Sequence, residues 1–457
     1  MQENFPVQPG RPGCKCKKSI IHVNMKKQEN VLFVTIDGGG NLPPVLVLAK
    51  DMSERGYRVS VLSEPCMEDL IRDLGYNFIS FQKYFTRKDR KEDIFKDWNV
   101  SPVNNPVLKN IVFGPSKVVA EETMEAIRLT DARLLVADIL LPTALIASEA
   151  SQIPGVIAFH MPEYFPGPNR PPGMFGLKPA KGSAGRFRDK IFSHLFNLKL
   201  KGFLSSINET RTSFNLQPLE QTSDLVHGAD LRLIQTIERF DFPIEPRPSN
   251  VRYIGPGLQY PDWTSTWSNP WNAEDPRPLV VISLSSTFQN QHAAIQSALD
   301  ALKDQDIRGL VTLGPALEKE RFTVPGNVII VDSAPHSSVF PLASLVITHA
   351  GHGTIMRALS HGLPLICLPM GRDQNDNAVK VQHHGCGISL SAKASPDRIR
   401  NAVQQILADI RFRQAASGFQ EEIRTCDRTF VLQEIENLIV PRRDGNSRLE
   451  TASMRYA

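Results

Sequence analysis

The segment 348–377 contains the residues of this chain whose types and spacing are best suited to holding an anion. A short apolar run ends at Thr348, a turn with Gly351 and Gly353 follows, and a helical pattern begins after the turn. Glycines let a ligand approach the backbone closely, and the free N–H groups of a helix N-terminus favour an anion such as a diphosphate. His349 offers that anion a hydrogen bond or a positive charge, although a histidine with a purely structural role fits the same position.

A second polar group follows within the same segment. Asp373 and Gln374 come soon after an apolar run that is bounded by Gly362 and Pro369. Open α/β sheets bind their ligands at the carboxyl ends of the strands. A carboxylate beside an amide offers both acceptors and donors to the adjacent hydroxyls of a sugar, so the pair predicts a sugar site. An exposed turn without a ligand is the alternative.

The elements that must position these residues alternate along the chain. Short apolar runs and helical patterns follow one another from residue 30 onward, which is typical of parallel sheets covered by helices. The predicted strands are 31–36, 57–62, 77–81, 134–138, 155–160, 279–284, 309–313, 328–331, 345–348 and 363–368. Since 457 residues exceed what one hydrophobic core serves, we predict an α/β fold of two tandem Rossmann-like domains with a cleft between them.

Composition shifts set the predicted boundaries. The start of the chain is polar and proline-rich, and a stretch with proline, glycine and little periodicity follows residue 250. The predicted segments are a disordered extension at 1–28, a first domain at 29–250, a linker at 251–276, a second domain at 277–440 and a disordered tail at 441–457. Within the first domain, the proline- and glycine-dense segment 162–179 predicts a long loop over the cleft.

The segment 186–203 mixes apolar residues at helical spacing with several basic side chains. We expect a surface helix whose apolar face packs on the core, because that pattern is ordinary in globular proteins. A helix resting on an anionic membrane surface, and hence a peripheral membrane contact, is the alternative.

The bulk composition excludes several classes of function. The 52 Lys and Arg residues exceed the 48 Asp and Glu residues by only four, so nucleic acid is not an expected partner. No apolar run reaches the roughly 18 residues of a membrane-spanning helix, and the start of the chain lacks the apolar segment of a secretory signal. Four widely spaced cysteines suggest reduced thiols and a cytoplasmic enzyme, and the Cys14–Cys16 pair lacks further metal ligands.

The segment 348–377 resembles the signature box of the family 1 UDP-glycosyltransferases, which include plant secondary-metabolite, animal detoxifying and bacterial macrolide or polyketide enzymes. The matching positions are His349, Gly351, Gly362, Pro364, Pro369, Asp373 and Gln374. Such an ordered set over about twenty-five residues is more specific than a single glycine motif. The resemblance extends over about residues 30–440 and implies the GT-B fold, with acceptor binding in the first domain and nucleotide-sugar binding in the second.

The resemblance also implies the reaction. It is the transfer of a hexose from a UDP- or TDP-sugar to a lipophilic small molecule, with inversion at the sugar carbon and with no cofactor or metal ion. The donor-binding residues that it implies are Ser285, Ser286, Thr287, Ala334, Pro335, His349, Gly351, His352, Gly353, Thr354, Asp373 and Gln374. His349 and the turn up to Thr354 would hold the diphosphate, and Asp373 and Gln374 would hold the sugar.

Three positions depart from the family pattern. Ser333 replaces a base-stacking Trp and Arg357 replaces a ribose-binding Glu, which leaves the nucleotide open between UDP and TDP. Asn41 stands where the family commonly has its general-base histidine, and an amide takes no proton at neutral pH.

Another group must therefore receive the proton of the acceptor. Asp138 matches the acidic partner of the family's histidine, and we predict that it is the base, acting directly or through water while Asn41 orients the hydroxyl. Asp37 and His160 are the reserve candidates, and a strand-end turn without a catalytic role is the alternative for Asp138.

Two other functions fit parts of the sequence. A dinucleotide-dependent oxidoreductase would use the glycines at 38–40 after one strand and Glu64 at the end of the next, but the third glycine of the G-x-G-x-x-G motif is missing. A non-catalytic or partner-dependent sugar-nucleotide-binding protein would fit the missing histidine. Donor hydrolysis or transfer by the protein alone distinguishes that function from an enzyme.

Overall fold

The computed structural model describes residues 28–90, 92, 106–258, 267–272, 274–285, 289–314 and 317–439. These residues form two parallel sheets flanked by helices, which confirms the predicted α/β class with two Rossmann-like domains. The extension predicted at 1–28 lies outside the described residues except for Gln28, as does the tail predicted at 441–457.

The first sheet has seven strands. They are β1 (Asn30–Val34), β2 (Arg58–Ser63), β3 (Asn77–Ser80), β4 (Ala132–Asp138), β5 (Gly155–Phe159), β6 (Leu231–Ile234) and β7 (Val251–Tyr253). Their order across the sheet is β3-β2-β1-β4-β5-β6-β7, and all neighbours are parallel. The helices of this part are α1 (Leu42–Glu54), α2 (Glu68–Asp73), α3 (Ser116–Thr130), α4 (Ala144–Ala150), α5 (Gly182–Lys201), α6 (Leu204–Ser213) and α7 (Asp224–His227).

The second sheet has six strands in the order β10-β9-β8-β11-β12-β13, again parallel throughout. They are β8 (Leu279–Ser283), β9 (Arg308–Thr312), β10 (Val328–Val331), β11 (Leu345–Thr348), β12 (Leu365–Cys367) and β13 (Gly387–Ser389). The helices are α8 (His292–Leu302), α9 (His336–Val339), α10 (His352–Ser360), α11 (Gln374–His383), α12 (Pro396–Ala408), α13 (Ile410–Arg424) and α14 (Thr429–Ile439).

The strands are apolar on both faces because helices cover both faces of each sheet. β1, β5 and β8 are buried at every position. In each sheet the order in which successive strands are added reverses beside the first strand, between β1 and β4 and between β8 and β11. Such a switch point opens a crevice at the carboxyl ends of the strands, and that is where open α/β sheets bind ligands.

The last helix, α14, returns to the first sheet. Val431, Leu432 and Ile435 are buried in the same apolar cluster as strands β1 and β4. The Arg428 guanidinium, just before α14, forms an ion pair with Asp51 of α1. The end of the segment predicted as the second domain therefore packs on the first.

Helix α5 differs from the expectation that its apolar face packs on the core. Only Phe196 and Leu200 of this helix are buried, whereas Phe187, Ile191, Leu195 and Leu198 are exposed. Among the described residues, no helix combines the length and the apolar character needed to cross a bilayer.

Candidate functional site

A cavity of about 790 Å³ lies between the carboxyl-end edges of the two sheets. All of the predicted donor-binding residues that the structure describes lie on its wall: Ser285, Ala334, Pro335, His349, Gly351, His352, Gly353, Thr354, Asp373 and Gln374. Ser286 and Thr287 are outside the described residues. The facing wall belongs to the first domain and includes Asn41, Asp37 and His160. Asp138 does not reach the cavity.

The glycine turn between β11 and α10 presents open backbone to this cavity. No side chain caps the N-terminus of α10, so its first N–H groups have no partner within the helix. A Cβ atom at Gly351 would lie 2.5 Å from Nε2 of His349, whereas one at Gly353 would meet nothing within 4 Å. Gly351 thus makes room for the histidine ring, and the start of α10 is accessible to an anion.

His349 lies beside this turn as a neutral imidazole, which leaves the hydrogen bond and not the positive charge of the two roles expected for it. Burial, and then the nearby Arg372, lower the pKa of His349 to about 3. Its Nδ1 has no hydrogen-bond partner among the described residues. His349 can therefore only offer a hydrogen bond, and the cations on the cavity wall near this turn are Arg357 and Arg372.

Asp373 and Gln374 lie at the start of α11, and both are held by neighbours. Asp373 Oδ2 accepts a hydrogen bond of 2.7 Å from Asn377 Nδ2. Gln374 Oε1 accepts from the Met370 N–H, and its Nε2 donates to Gln289 Oε1 at 2.7 Å. A sugar hydroxyl that binds to the Gln374 amide would have to replace Gln289, which also lines the cavity.

The far end of the second-domain wall is formed by the ends of β9 and β10. Ala334 and Pro335 precede α9, and Ser333 lies beside them on the wall. His336, which the sequence reasoning did not single out, stacks on Phe340 with ring centroids 4.3 Å apart. Its Nε2 lies 3.0 Å from Ser283 Oγ. A histidine therefore lies close to Ser333 on this part of the wall.

Asn41 fixes the turn before α1, which corrects the expectation that it orients an acceptor hydroxyl. Its Nδ2 donates to Asp138 Oδ2 at 2.6 Å and to the Ile36 carbonyl at 2.7 Å. Its Oδ1 accepts from the Gly38 N–H. Both amide hydrogens are committed to the protein, so this side chain has no donor left for a substrate.

Asp138 lies beneath that turn with no exposed surface, and direct contact with an acceptor is therefore excluded. Oδ2 also accepts from Thr35 Oγ1, and Oδ1 accepts from the Leu140 N–H. The side chain that connects this carboxylate to the cavity is His160. Its Nδ1 lies 3.5 Å from Asp138 Oδ1, which is within ion-pair distance, and has no hydrogen-bond partner among the described residues.

Asp37 lies on the cavity wall but is engaged. Its Oδ2 accepts from Arg90 Nε at 2.9 Å, and its Oδ1 accepts from the Gly39 N–H. Glu64 is buried and holds Arg87 at 2.9 Å while accepting from the Asp37 N–H. The carboxylate that a dinucleotide-binding enzyme would use for a ribose is thus enclosed in an ion pair, which argues against the oxidoreductase alternative.

Gln235, at the end of β6, is a further residue that sequence reasoning missed. It lines the cavity, and neither its Oε1 nor its Nε2 has a partner among the described residues. Buried amides are normally satisfied, so a ligand hydroxyl is the natural partner. A lone glutamine between two short strands gives no local signal, and only the three-dimensional neighbourhood identifies it.

The proline-rich loop lines the cavity as predicted and is latched to the second domain. The backbone N–H groups of Met174 and Gly176 donate to the two carboxylate oxygens of Asp376 in α11, the second at 2.8 Å. Arg170 holds the loop from the other side through Glu163 and Asp241. Loop and donor-side helix therefore form one continuous wall.

The chain is similar to known proteins in both sequence and fold. Residues 296–438 match the family model described as Erythromycin biosynthesis protein CIII-like, C-terminal domain. The chain is 26% identical to UDP-glycosyltransferase 2 of Phaeomoniella chlamydospora over 87% of this chain and 93% of that protein. It is 24% identical to 4'-demethylrebeccamycin synthase of Lentzea aerocolonigenes over 87% and 96%. The crystal structure of CalG4, the calicheamicin glycosyltransferase, shares the fold with a TM-score of 0.70 at 19% identity, over 92% of this chain and all of that one.

Proposed function

We propose that this chain, which has the GT-B fold, acts as a family 1 glycosyltransferase. In the proposed reaction it moves a hexose from a UDP- or TDP-sugar to a lipophilic small-molecule acceptor, with inversion and without a metal ion. One observation carries the proposal. The open N-terminus of α10 and His160, whose Nδ1 lies 3.5 Å from the buried Asp138, lie on opposite walls of one cavity of about 790 Å³.

The second-domain wall supplies what a departing nucleoside diphosphate needs. The first N–H groups of α10 and the imidazole of His349 can donate hydrogen bonds to the phosphate oxygens, and Arg372 adds a positive charge. These groups oppose the negative charge that grows on the leaving group as the bond from the sugar carbon to the diphosphate breaks. In other transferases a bound metal ion does the same.

The first-domain wall supplies the base. We assign that role to His160, because it is the titratable side chain that joins the cavity to the buried Asp138. The Asp138 carboxylate, 3.5 Å from Nδ1, favours the tautomer that carries the proton on that nitrogen, which leaves Nε2 to take the proton of an acceptor hydroxyl. The acceptor oxygen attacks the sugar carbon, the carbon–diphosphate bond breaks, and the diphosphate leaves with the electron pair. Asp138 is then a positioning residue.

Part of the acceptor half of the cavity is apolar. Leu108, Val112, Ile139, Met161 and Leu177 line it, and Tyr164 lies in the same wall. Such a surface binds a ring system or an alkyl body by removing it from water. Gln235 supplies an amide for one polar group of that body or of the sugar. These features support a natural product with few polar groups as the acceptor. Two of the similar proteins, 4'-demethylrebeccamycin synthase and the calicheamicin glycosyltransferase, are named for natural products.

A donor and acceptor panel tests the proposal. UDP- and TDP-hexoses are combined with phenolic and polyketide acceptors, and transfer is detected as a mass increase of one hexose unit. Formation of a product by the protein alone supports the proposed reaction. Donor binding without transfer or hydrolysis across the panel would favour a partner-dependent sugar-nucleotide-binding protein.

Chelation tests the metal-free mechanism separately. Because a helix terminus, His349 and Arg372 are proposed to stabilise the leaving group, EDTA should leave the transfer rate unchanged within about twofold. The measurement is the initial rate before and after exhaustive dialysis against EDTA. A rate that falls on dialysis and returns with magnesium would contradict the proposal.

A further inference from the structure

Helix α5 exposes an unusual concentration of apolar surface. Phe187 is 67% exposed, and Ile191, Leu195 and Leu198 are between 44% and 51% exposed. Among the described residues, these four are a large share of the ten large hydrophobic side chains that are exposed. Scattered exposed apolar residues need no explanation, but a contiguous group on one element marks an interaction surface.

The four side chains form one stripe along the helix. Successive positions differ by four, four and three residues, and that spacing places them on one face. The opposite face holds the helix to the body through Phe196 and Leu200. The stripe is therefore directed away from the core and extends over about three turns.

Basic side chains border this stripe. Arg186, Lys190 and Lys201 are exposed on α5, and the segment 178–201 contains seven Lys and Arg residues. Its single acidic residue is Asp189, which forms an ion pair with Arg188. An apolar stripe with a cationic border is complementary to an anionic lipid surface, where apolar side chains insert and the cations meet the headgroups.

We propose that the exposed face of α5 binds the surface of an anionic lipid bilayer. A second copy of this chain is a poorer occupant, because a symmetric contact would place the same set of cations against itself. The docked face would also lie close to the acceptor side of the cavity. Phe192 of α5 packs edge-on against Phe175 of the proline-rich loop with ring centroids 5.0 Å apart, and Met174 and Leu177 of that loop line the cavity.

Vesicle co-sedimentation of the full chain tests this surface without any donor or acceptor. We expect the protein to pellet with vesicles of phosphatidylcholine containing about 30% phosphatidylglycerol and to stay in solution with phosphatidylcholine alone. About 0.5 M salt should release most of it, since the cations act within a Debye length of the headgroups. Failure to pellet with the anionic vesicles would overturn the proposal and leave a protein partner as the occupant.

Paired substitutions locate the contact. Phe187→Ser with Leu198→Ser should weaken vesicle binding at least about tenfold, and Lys190→Glu with Lys201→Glu should do the same. The matched control is Phe430→Ser with Leu129→Ser, because these side chains are 66% and 68% exposed on other helices. Equal weakening by the control pair would contradict the assignment to α5. The proposal would also be contradicted if the protein dimerises in sedimentation equilibrium and only the substitutions Phe187→Ser and Leu198→Ser abolish the dimer.

Discussion

His160 and Asp138 meet because their strands are neighbours. β4 ends at Asp138 and pairs in parallel with β5, which ends one residue before His160. Thr35, Asn41 and the Leu140 N–H saturate the other lone pairs of the carboxylate. Asp138 is thus held rigidly, and the side on which it faces the cavity is occupied by the imidazole. Asn41 therefore helps to orient this carboxylate.

Replacing His160 by alanine tests the base directly. We expect His160→Ala to lower kcat for an unactivated alcohol acceptor by about 100- to 10,000-fold, while the affinity for the nucleotide sugar stays within threefold. An acceptor that ionises by itself, such as an acidic phenol, should recover much of the rate. His292→Ala, a histidine that stacks on Phe322 outside the cavity, is the control. A loss of kcat below threefold with the alcohol acceptor would show that another group is the general base.

The positioning role of Asp138 predicts a dependence on His160. Asp138→Asn should lower kcat in the otherwise unchanged enzyme, because an amide cannot hold the Nδ1–H of His160 in the same way. In the His160→Ala background, Asp138→Asn should lower kcat by less than about a further threefold, since the two residues act as one unit. Full multiplication of the two losses in a double-mutant cycle would show that Asp138 acts independently. Circular dichroism checks that each variant is folded.

At the scale of elements, the site depends on a loop that is fixed from both domains. Met174 adopts a left-handed backbone conformation with φ of 74°, and its N–H donates to Asp376. The burial of Asp376 raises its pKa, while Lys380 and the two backbone donors act in the opposite direction. The carboxylate thus ties the acceptor loop to the first turn of α11, directly beside Asp373 and Gln374.

Removal of this latch should affect the acceptor more than the donor. Asp376→Ala leaves the Met174 and Gly176 N–H groups without their acceptor, and the loop is expected to loosen. We expect KM for the acceptor to rise about tenfold while the calorimetric affinity for the nucleotide diphosphate changes less than threefold. Asp397→Ala, an exposed aspartate in the first turn of α12, is the control. Equal weakening of donor and acceptor binding would argue against a loop-specific role.

The sequence predicted the elements that carry strong periodicity and missed those that do not. Strand β11 coincides with the predicted strand, and the helix after it begins at His352 instead of after Gly353; a buried apolar run and a glycine turn mark both elements locally. The three-residue strands β7 and β13 have no such signal and exist through pairing with distant neighbours. The sequence also favoured Asp138 over His160 as the general base because it carries no local signal of which one is exposed. Which of two strand-end groups reaches the cavity is decided by burial, and no spacing in the chain records it.

At the scale of the whole molecule, several contacts hold the two halves together. Helix α14 packs on the first sheet, and Glu434 and Glu436 of this helix form ion pairs with Arg252 and Arg55. Nearer the cavity, His352 of α10 lies 3.3 Å from the carbonyl of Gln235 in the first domain. Because a carbonyl only accepts, Nε2 carries a proton and donates it to that oxygen, and burial keeps the ring neutral.

This neutral state makes the fold sensitive to acid. Burial lowers the pKa of His352, and also that of His349, to about 3 from an ordinary value of 6.5. The unfolded chain binds protons at these sites from about pH 6.5 downward, whereas the folded chain does not. The contribution of these two histidines to the free energy of unfolding is therefore fully present above pH 6.5. It is lost as the pH falls toward 3, by about 1.4 kcal/mol per pH unit for each histidine.

The variant His352→Gln separates this effect from general acid denaturation. A glutamine amide can still donate to the Gln235 carbonyl but takes no proton, so the decrease in Tm between pH 7 and pH 5 should be smaller than in the wild type. Two such histidines cost about 4 kcal/mol at pH 5, a large part of the stability of an ordinary domain, and removing one should recover about half. His194→Gln, at an exposed histidine of α5, serves as the control. Thermal unfolding at the two pH values gives the result, and an unchanged decrease in the His352 variant would show that the ring at the domain contact does not control the acid sensitivity.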